Sequence, residues 1–392
     1  MASIPSLKDI TLPEAQRLLE SGALTSTKLV RTYLARIAKA DHEFNSVVEP
    51  SPDAIADAQA RDDECAAGKI RSGLHGLPIL LKDNIPTLDN TETTCGSLAL
   101  IGAKPQEEAA VATALRGAGA IILGKANMTE WVGFRSTSGC SGWSPRGGQT
   151  YGPYVKGSKA SESSSGSAVA TALGLCFAAI GTETCWLIVS PAEKSGVVGH
   201  KPTKDLVPSN GIIYASKKQD TVGVLTRTVE NAVQITSALI GETFHSGSLS
   251  SRTKRANSTD YTDRILDTLR SKRPDLDLKG FRIGVPTDLL DFESLPLCKM
   301  EAFCRALLRL ENHGARVVKR IAVAGSREYE GLSQQETQIV LDTDMKIAIN
   351  DYLSNLQTNP QNINHVQDLI DFTKTCSEED YPARNVVGLE RA

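Results

Sequence analysis

Apolar residues recur every three to four positions near the start of the chain: Ala15, Leu18 and Leu19, then Leu29, Tyr33, Leu34 and Ile37. That spacing puts each set on one helical face, so two amphipathic helices are predicted, the second over roughly residues 25–40. Thr11-Leu12-Pro13-Glu14 supplies a start signal for the first, a capping box with proline inside the first turn. The pattern then changes. Gly73-Leu74-His75-Gly76-Leu77-Pro78 is a turn cluster, and Ile79-Leu80-Leu81 is a continuous apolar run that predicts a buried strand ending at Lys82. Helical spacing over 108–118 (Ala109, Ala112, Leu115) stops at Gly119, and Ala120-Ile121-Ile122-Leu123 predicts the next buried strand. Helix, short loop and strand in alternation argue for an α/β sheet layered with helices.

Residues 134–167 are rich in Gly, Ser and Thr, the composition of a flexible linker. Trp143, Arg146, Gln149, Tyr151 and Tyr154 are interleaved, which a plain linker does not need. Ala168 to Ile180 is almost wholly apolar and predicts one helix buried in a large core. Residues 197–203 read as a strand or buried turn, 228–240 as an amphipathic helix, and 244–262 as a polar surface excursion. Further on, strands are predicted at 281–286 and 315–318, and helices at 298–310, 335–357 and 365–374. The last residues, Glu390-Arg391-Ala392, fall within the start of another helix, and no internal repeat is present.

A chain of 392 residues that is 40% hydrophobic and 23% charged has ordinary globular composition and material for a large core. A net charge of −3 argues against a nucleic-acid partner, which needs a strong basic excess. The Arg252-Thr253-Lys254-Arg255 cluster lies in a Ser/Thr-rich stretch and reads as a solvated loop. None of the eight cysteines shows Cys-x-x-Cys spacing and the six histidines are far apart, so no zinc site is expected. Cys176 reads as a small core residue. The N-terminus has no basic segment followed by an apolar one, and the longest apolar run is too short for a bilayer. A soluble protein of a reducing, cytoplasmic compartment is expected, with no membrane partner and its oligomeric state open.

Three elements carry candidate chemistry. Lys82 ends a buried strand, although a lysine there is ordinarily one that snorkels to water. Ser163-Ser164-Ser165-Gly166-Ser167 stands before an apolar helix, where serines are ordinarily caps. Gly181-Thr182-Glu183-Thr184 is followed by Ile188-Val189-Ser190-Pro191-Ala192. In this order they resemble the amidase signature family of amide hydrolases. The strand Leu74 to Asn84, the segment Gly119 to Trp131, Gly142 to Gly152, Gly199-His200-Lys201-Pro202-Thr203 and Gln219-Asp220-Thr221-Val222-Gly223 are similar to the same family, in its fungal-type branch. The resemblance covers essentially the whole chain. It implies an amidase-signature α/β fold, with a mixed central β-sheet covered by helices on both sides. It also implies a single domain over 1–392: an N-terminal helical region to 70, a signature core over 71–240 and a peripheral α/β region over 241–392. The implied activity is hydrolysis of amide carbon–nitrogen bonds in a small-molecule substrate by a Ser–Ser–Lys triad, with no metal or organic cofactor.

Carried over position by position, the resemblance makes Lys82 the base. Ser163 becomes the bridging serine, which in the family follows a cis peptide bond, and Thr184, Cys185 and Trp186 form the oxyanion-hole region. The family pattern Gly-Thr-Glu-Thr-Asp-Gly-Ser-Ile-Val-Ser-Pro-Ala then sets Cys185 at the aspartate, Trp186 at the glycine and Leu187 at the nucleophilic serine. Matches on both sides fix the register without a gap, and Ser190 falls on a separate, non-nucleophilic serine. Leucine has no lone pair with which to attack. Trp186 is expected to crowd the oxyanion hole, and Glu162 to sit near Lys82 and hold it charged. The expectation is an amidase-like protein whose triad chemistry is lost. Its rivals are an amidase acting through Ser164 or Ser190, a misread frame over codons 185–187 of an active enzyme, and a non-catalytic ligand-binding or partner-dependent subunit. The family's chain normally continues well past the position of Ala392, so this one reads as C-terminally short, with an exposed sheet edge and apolar surface expected.

Overall fold

A computed structural model describes residues 6–8, 10–245, 277–290 and 295–392. The chain divides into two compact units, Met1–Leu266 with Leu341–Ala392, and Asp267–Val340. The larger unit is built on a sheet of six strands: β1 (Val47–Pro50), β2 (Pro78–Lys82), β3 (Ile121–Ala126), β4 (Ala178–Glu183), β5 (Val198–His200) and β6 (Thr221–Thr226). Their order is β1-β3-β2-β4-β6-β5. β3, β2 and β4 run parallel, while β1, β6 and β5 join antiparallel, so the sheet is mixed. Every residue of β2, β3, β4 and β6 is buried. Continuous apolar runs such as Ile79-Leu80-Leu81 belong at such a centre, because both faces of a parallel strand are covered.

The helices of this unit up to residue 245 are α1 (Leu12–Glu20), α2 (Ser26–Ala40), α3 (Ala54–Ala66), α4 (Ala110–Gly117), α5 (Ser165–Leu173), α6 (Val189–Ser195) and α7 (Val229–His245). Thr11 caps α1 by accepting from the Glu14 N–H at 3.4 Å, and Thr25 caps α2 by accepting from Lys28 at 3.1 Å. Leu29, Tyr33 and Ile37 are buried along one face of α2, as the spacing predicts. The Gly/Ser/Thr-rich stretch is no linker. Trp143–Ser144 pairs with Gly148–Gln149, and Arg146 reaches Asp83 at 2.9 Å and also bonds Glu49.

The single buried helix predicted over 168–180 is corrected. α5 ends at Leu173, Gly174 turns the chain in the left-handed region with φ 65°, and β4 begins at Ala178. An apolar run buried on all sides carries no periodicity that separates helix from strand. Gly174 makes the division, because only a residue without a Cβ adopts that cap freely. Cys176 lies in the connection, fully buried.

In the smaller unit, β7 (Arg282–Val285) runs parallel to β8 (Arg316–Lys319), connected through α8 (Leu297–Asn312). α9 (Gln334–Ser354) spans the boundary at Leu341, and α10 (Val366–Thr375) belongs to the larger unit. α9 stops short of the expected 357, because Leu356–Thr358 pairs as a strand with Lys104–Pro105. The polar excursion beyond 245 and the 252–255 basic cluster lie outside the described residues. Among the described residues, no helix is long and apolar enough to cross a membrane.

Candidate active site

The parallel register of β2 and β4 sets Leu81 opposite Ile180, so the C-terminal ends of the two strands bring Lys82 beside Thr182. Lys82 is fully buried. Its Nζ donates to Ser163 Oγ at 2.6 Å, to Thr182 Oγ1 at 3.0 Å and to the Thr182 carbonyl at 3.2 Å. Asn84 Nδ2 donates to the same Thr182 hydroxyl at 3.0 Å and holds it in place. Burial pushes the Lys82 ammonium down to about 7, against the opposing pull of Cys95, Asp220 and Glu183. A large neutral fraction therefore exists at neutral pH. A neutral amine keeps two N–H donors for the Thr182 oxygens and a lone pair for the Ser163 hydroxyl proton.

Ser163 follows a cis peptide bond from Glu162, and its carbonyl accepts from the Thr129 N–H at 3.1 Å. The Ser164 N–H donates to the Leu187 carbonyl at 3.1 Å, which places residue 187 one peptide away from Ser163. The Leu187 side chain is 8% exposed and belongs to an apolar cluster with Cys95, Met128, Trp131, Ile213 and Met345.

The turn between β4 and α6 is held from both ends. Glu183 Oε2 accepts from the N–H groups of Ile188 at 2.6 Å and Val189 at 3.0 Å, capping α6, and Lys201 donates to the Thr184 carbonyl at 2.9 Å. Thr184 Oγ1 donates to Asp220, whose carboxyl burial pushes up. Among the described residues, the backbone N–H groups of Cys185, Trp186 and Leu187 enter no hydrogen bond.

Two expectations fail here. Trp186 sits in the left-handed region with φ 68°, and its side chain is 72% exposed. The indole stands largely in solvent and is not buried in the site. Glu162 does not hold Lys82 charged: its carboxyl lies over Gly133, burial pushes it up, and its charged neighbours are Lys159 and Lys194. The two rival serines are engaged elsewhere. Ser164 Oγ donates to the Thr182 carbonyl at 3.2 Å, and Ser190 Oγ pairs with Ser161 Oγ at 2.8 Å.

The residues with no assigned role in the sequence reading are those that hold the others: Thr182 and Asn84 around Lys82, Glu183 under the turn, Asp220 behind Thr184. One signal was available, since Thr182 and Lys82 both end buried runs and a parallel sheet aligns such ends. Among the described residues, no cluster of three His, Cys, Asp or Glu side chains is placed to hold a metal ion.

The sequence profile of the amidase family matches residues 28–371. Two relatives have names that assign them provisionally to the amidases. One, from Arthroderma benhamiae, is 36% identical over 97% of this chain. The other, from Arabidopsis thaliana, is 33% identical over 97% of this chain and 71% of its own length. The chain spans 66% of the length of the Arthroderma relative. Among solved structures, the native peptide amidase of Stenotrophomonas maltophilia superposes with a TM-score of 0.82 at 35% identity, over 98% of this chain and 75% of that one. With a profile match over most of its residues and a fold shared at this level, the chain belongs to the amidase signature family.

Proposed function

We propose that this chain is a member of the amidase family in which Ser–Ser–Lys hydrolysis of amides is lost, while the base and the bridging serine are retained around a pocket for a small amide. In the complete relay, the neutral lysine takes the proton of the bridging serine. That serine takes the proton of a second serine, which attacks the carbonyl and forms an acyl-enzyme. Here Lys82 and Ser163 stand at 2.6 Å, a distance that supports a retained first link. The observation that carries the reading is Leu187. Its side chain belongs to the buried apolar cluster that also holds Cys95, Met128 and Ile213, at the position where the relay needs a hydroxyl.

Neither Ser164 nor Ser190 replaces it, because each spends its hydroxyl on another partner than Lys82 or Ser163. Loss of the nucleophile from a serine triad costs on the order of a million-fold in turnover. Purified protein incubated with peptide amides and aryl amides is expected to release no product above the level of a Lys82→Ala variant. Turnover that Lys82→Ala abolishes overturns the reading.

A further inference from the structure

We propose that the Lys82–Ser163 pair acts by itself as an acyl acceptor, with Ser163 Oγ rather than any group at position 187 taking a small acyl chain from an activated ester. The inference rests on the reading that residue 187 no longer attacks, and it concerns a different atom. Ser163 lies 2.6 Å from Lys82 Nζ, the distance of a nucleophile from its base. The two Thr182 oxygens fix the amine at 3.0 and 3.2 Å, so its remaining direction is toward Ser163. Serine–lysine pairs of this kind support acyl transfer on other folds. The backbone N–H groups of Cys185, Trp186 and Leu187, which enter no described hydrogen bond, lie next along the chain from the contact between Ser164 and the Leu187 carbonyl. They supply donors for a developing oxyanion.

Leu187 sets the substrate class. Ser163 is fully buried and Leu187 nearly so, which selects against a peptide and makes a short acyl group the class to test. In the step, neutral Lys82 accepts the Ser163 hydroxyl proton as the Oγ–carbon bond forms. The ester carbon–oxygen bond breaks, the aryl oxide leaves with that electron pair, and the proton on Lys82 is returned to it or to solvent. The apolar wall made by Leu187 and its cluster keeps water from the acyl group, so acyl-Ser163 accumulates instead of turning over.

The test is incubation of the whole protein with para-nitrophenyl acetate, followed by peptide mapping. The expected result is a burst of nitrophenolate with acetylation of Ser163, at a rate that rises with pH through about 7. Lys82→Met, which keeps the packing volume, is expected to slow labelling by roughly 100-fold or more. Leu187→Ala is expected to speed it by widening the approach. Melting curves establish that each variant is folded. Ser163 left unmodified in both the protein and Leu187→Ala overturns the dyad, as does labelling of Ser163 at an unchanged rate in folded Lys82→Met. Amide turnover dependent on Lys82 overturns the preceding reading instead, so the two failures are distinguishable.

Discussion

Lys82 is a cationic side chain carried inside a sheet, and its titration makes that cost visible. In the unfolded chain its amine titrates at the ordinary 10.5, and in the fold burial lowers this to about 7. Between those values the unfolded chain binds the extra proton, so stability rises with pH across the window, and the penalty is fully present below it. The slope is roughly 1.4 kcal/mol per pH unit for one such group. Lys125, lowered to about 8 by burial, adds a slope of the same sign. Lys82→Met is therefore expected to be more stable than the parent protein at pH near neutral and to show a shallower rise toward alkaline pH. Chemical denaturation over that range checks it, and the difference between the two proteins isolates Lys82. At this scale the sequence was informative about identity and silent about direction. Leu187, Trp186 and Glu162 all stand out in the chain. Yet Trp186 points to solvent and Glu162 faces Gly133, because side-chain direction follows from local φ/ψ and from neighbours remote in sequence.

The turn from β4 into α6 is the element on which the site depends. Glu183 is its anchor: one carboxylate oxygen accepts from two N–H groups at the start of α6, and the other lies 3.4 Å from Lys201. Removing it leaves orphan donors at a helix N-terminus, a loss of about 1–2 kcal/mol. Glu183→Ala is accordingly expected to melt lower and to show faster amide hydrogen exchange over 185–190 than over β4. Unchanged exchange in that segment would contradict the anchoring role. The elements with clear periodicity, α1, α2 and α4, were legible in the chain, because a half-exposed helix writes its polar face into the sequence. The run from Ala168 to Ile180 was not, because full burial erases that face whether the backbone is helix or strand.

At the scale of the larger unit, one buried cluster ties the C-terminal residues to the core. Arg135 bonds the carboxylate of Glu130 and, at 2.9 Å, that of Glu379, 244 positions away, and donates to the Arg384 carbonyl at 3.1 Å. Arg135→Ala leaves two buried carboxyl groups without their shared donor, and a loss of about 3–5 kcal/mol is expected in denaturation experiments. Burial, then the adjacent Glu379, pushes the Glu130 carboxyl well above its ordinary range. A raised carboxyl contributes its stability in full at acid pH and loses it as pH rises through the shifted value. Glu130→Gln, a neutral isostere, is therefore expected to match the parent at acid pH and to exceed it at alkaline pH.

What the chain determined by itself was the alternation of elements and the family to which they belong. Apolar runs, glycine stops and caps are local, and motifs such as Leu80-Leu81-Lys82-Asp83-Asn84 are contiguous. That position 187 carries a leucine, with no hydroxyl, was equally legible. Tertiary structure decided what surrounds those residues. Thr182 meets Lys82 only because β2 and β4 are aligned in one sheet, 100 positions apart in the chain. The amine is near neutrality only because that sheet is covered, and the 2.6 Å contact with Ser163 exists only because the serine loop folds back over it. Proton affinity and approach geometry depend on burial and on distances between remote positions, and neither is a property of a residue's place in sequence.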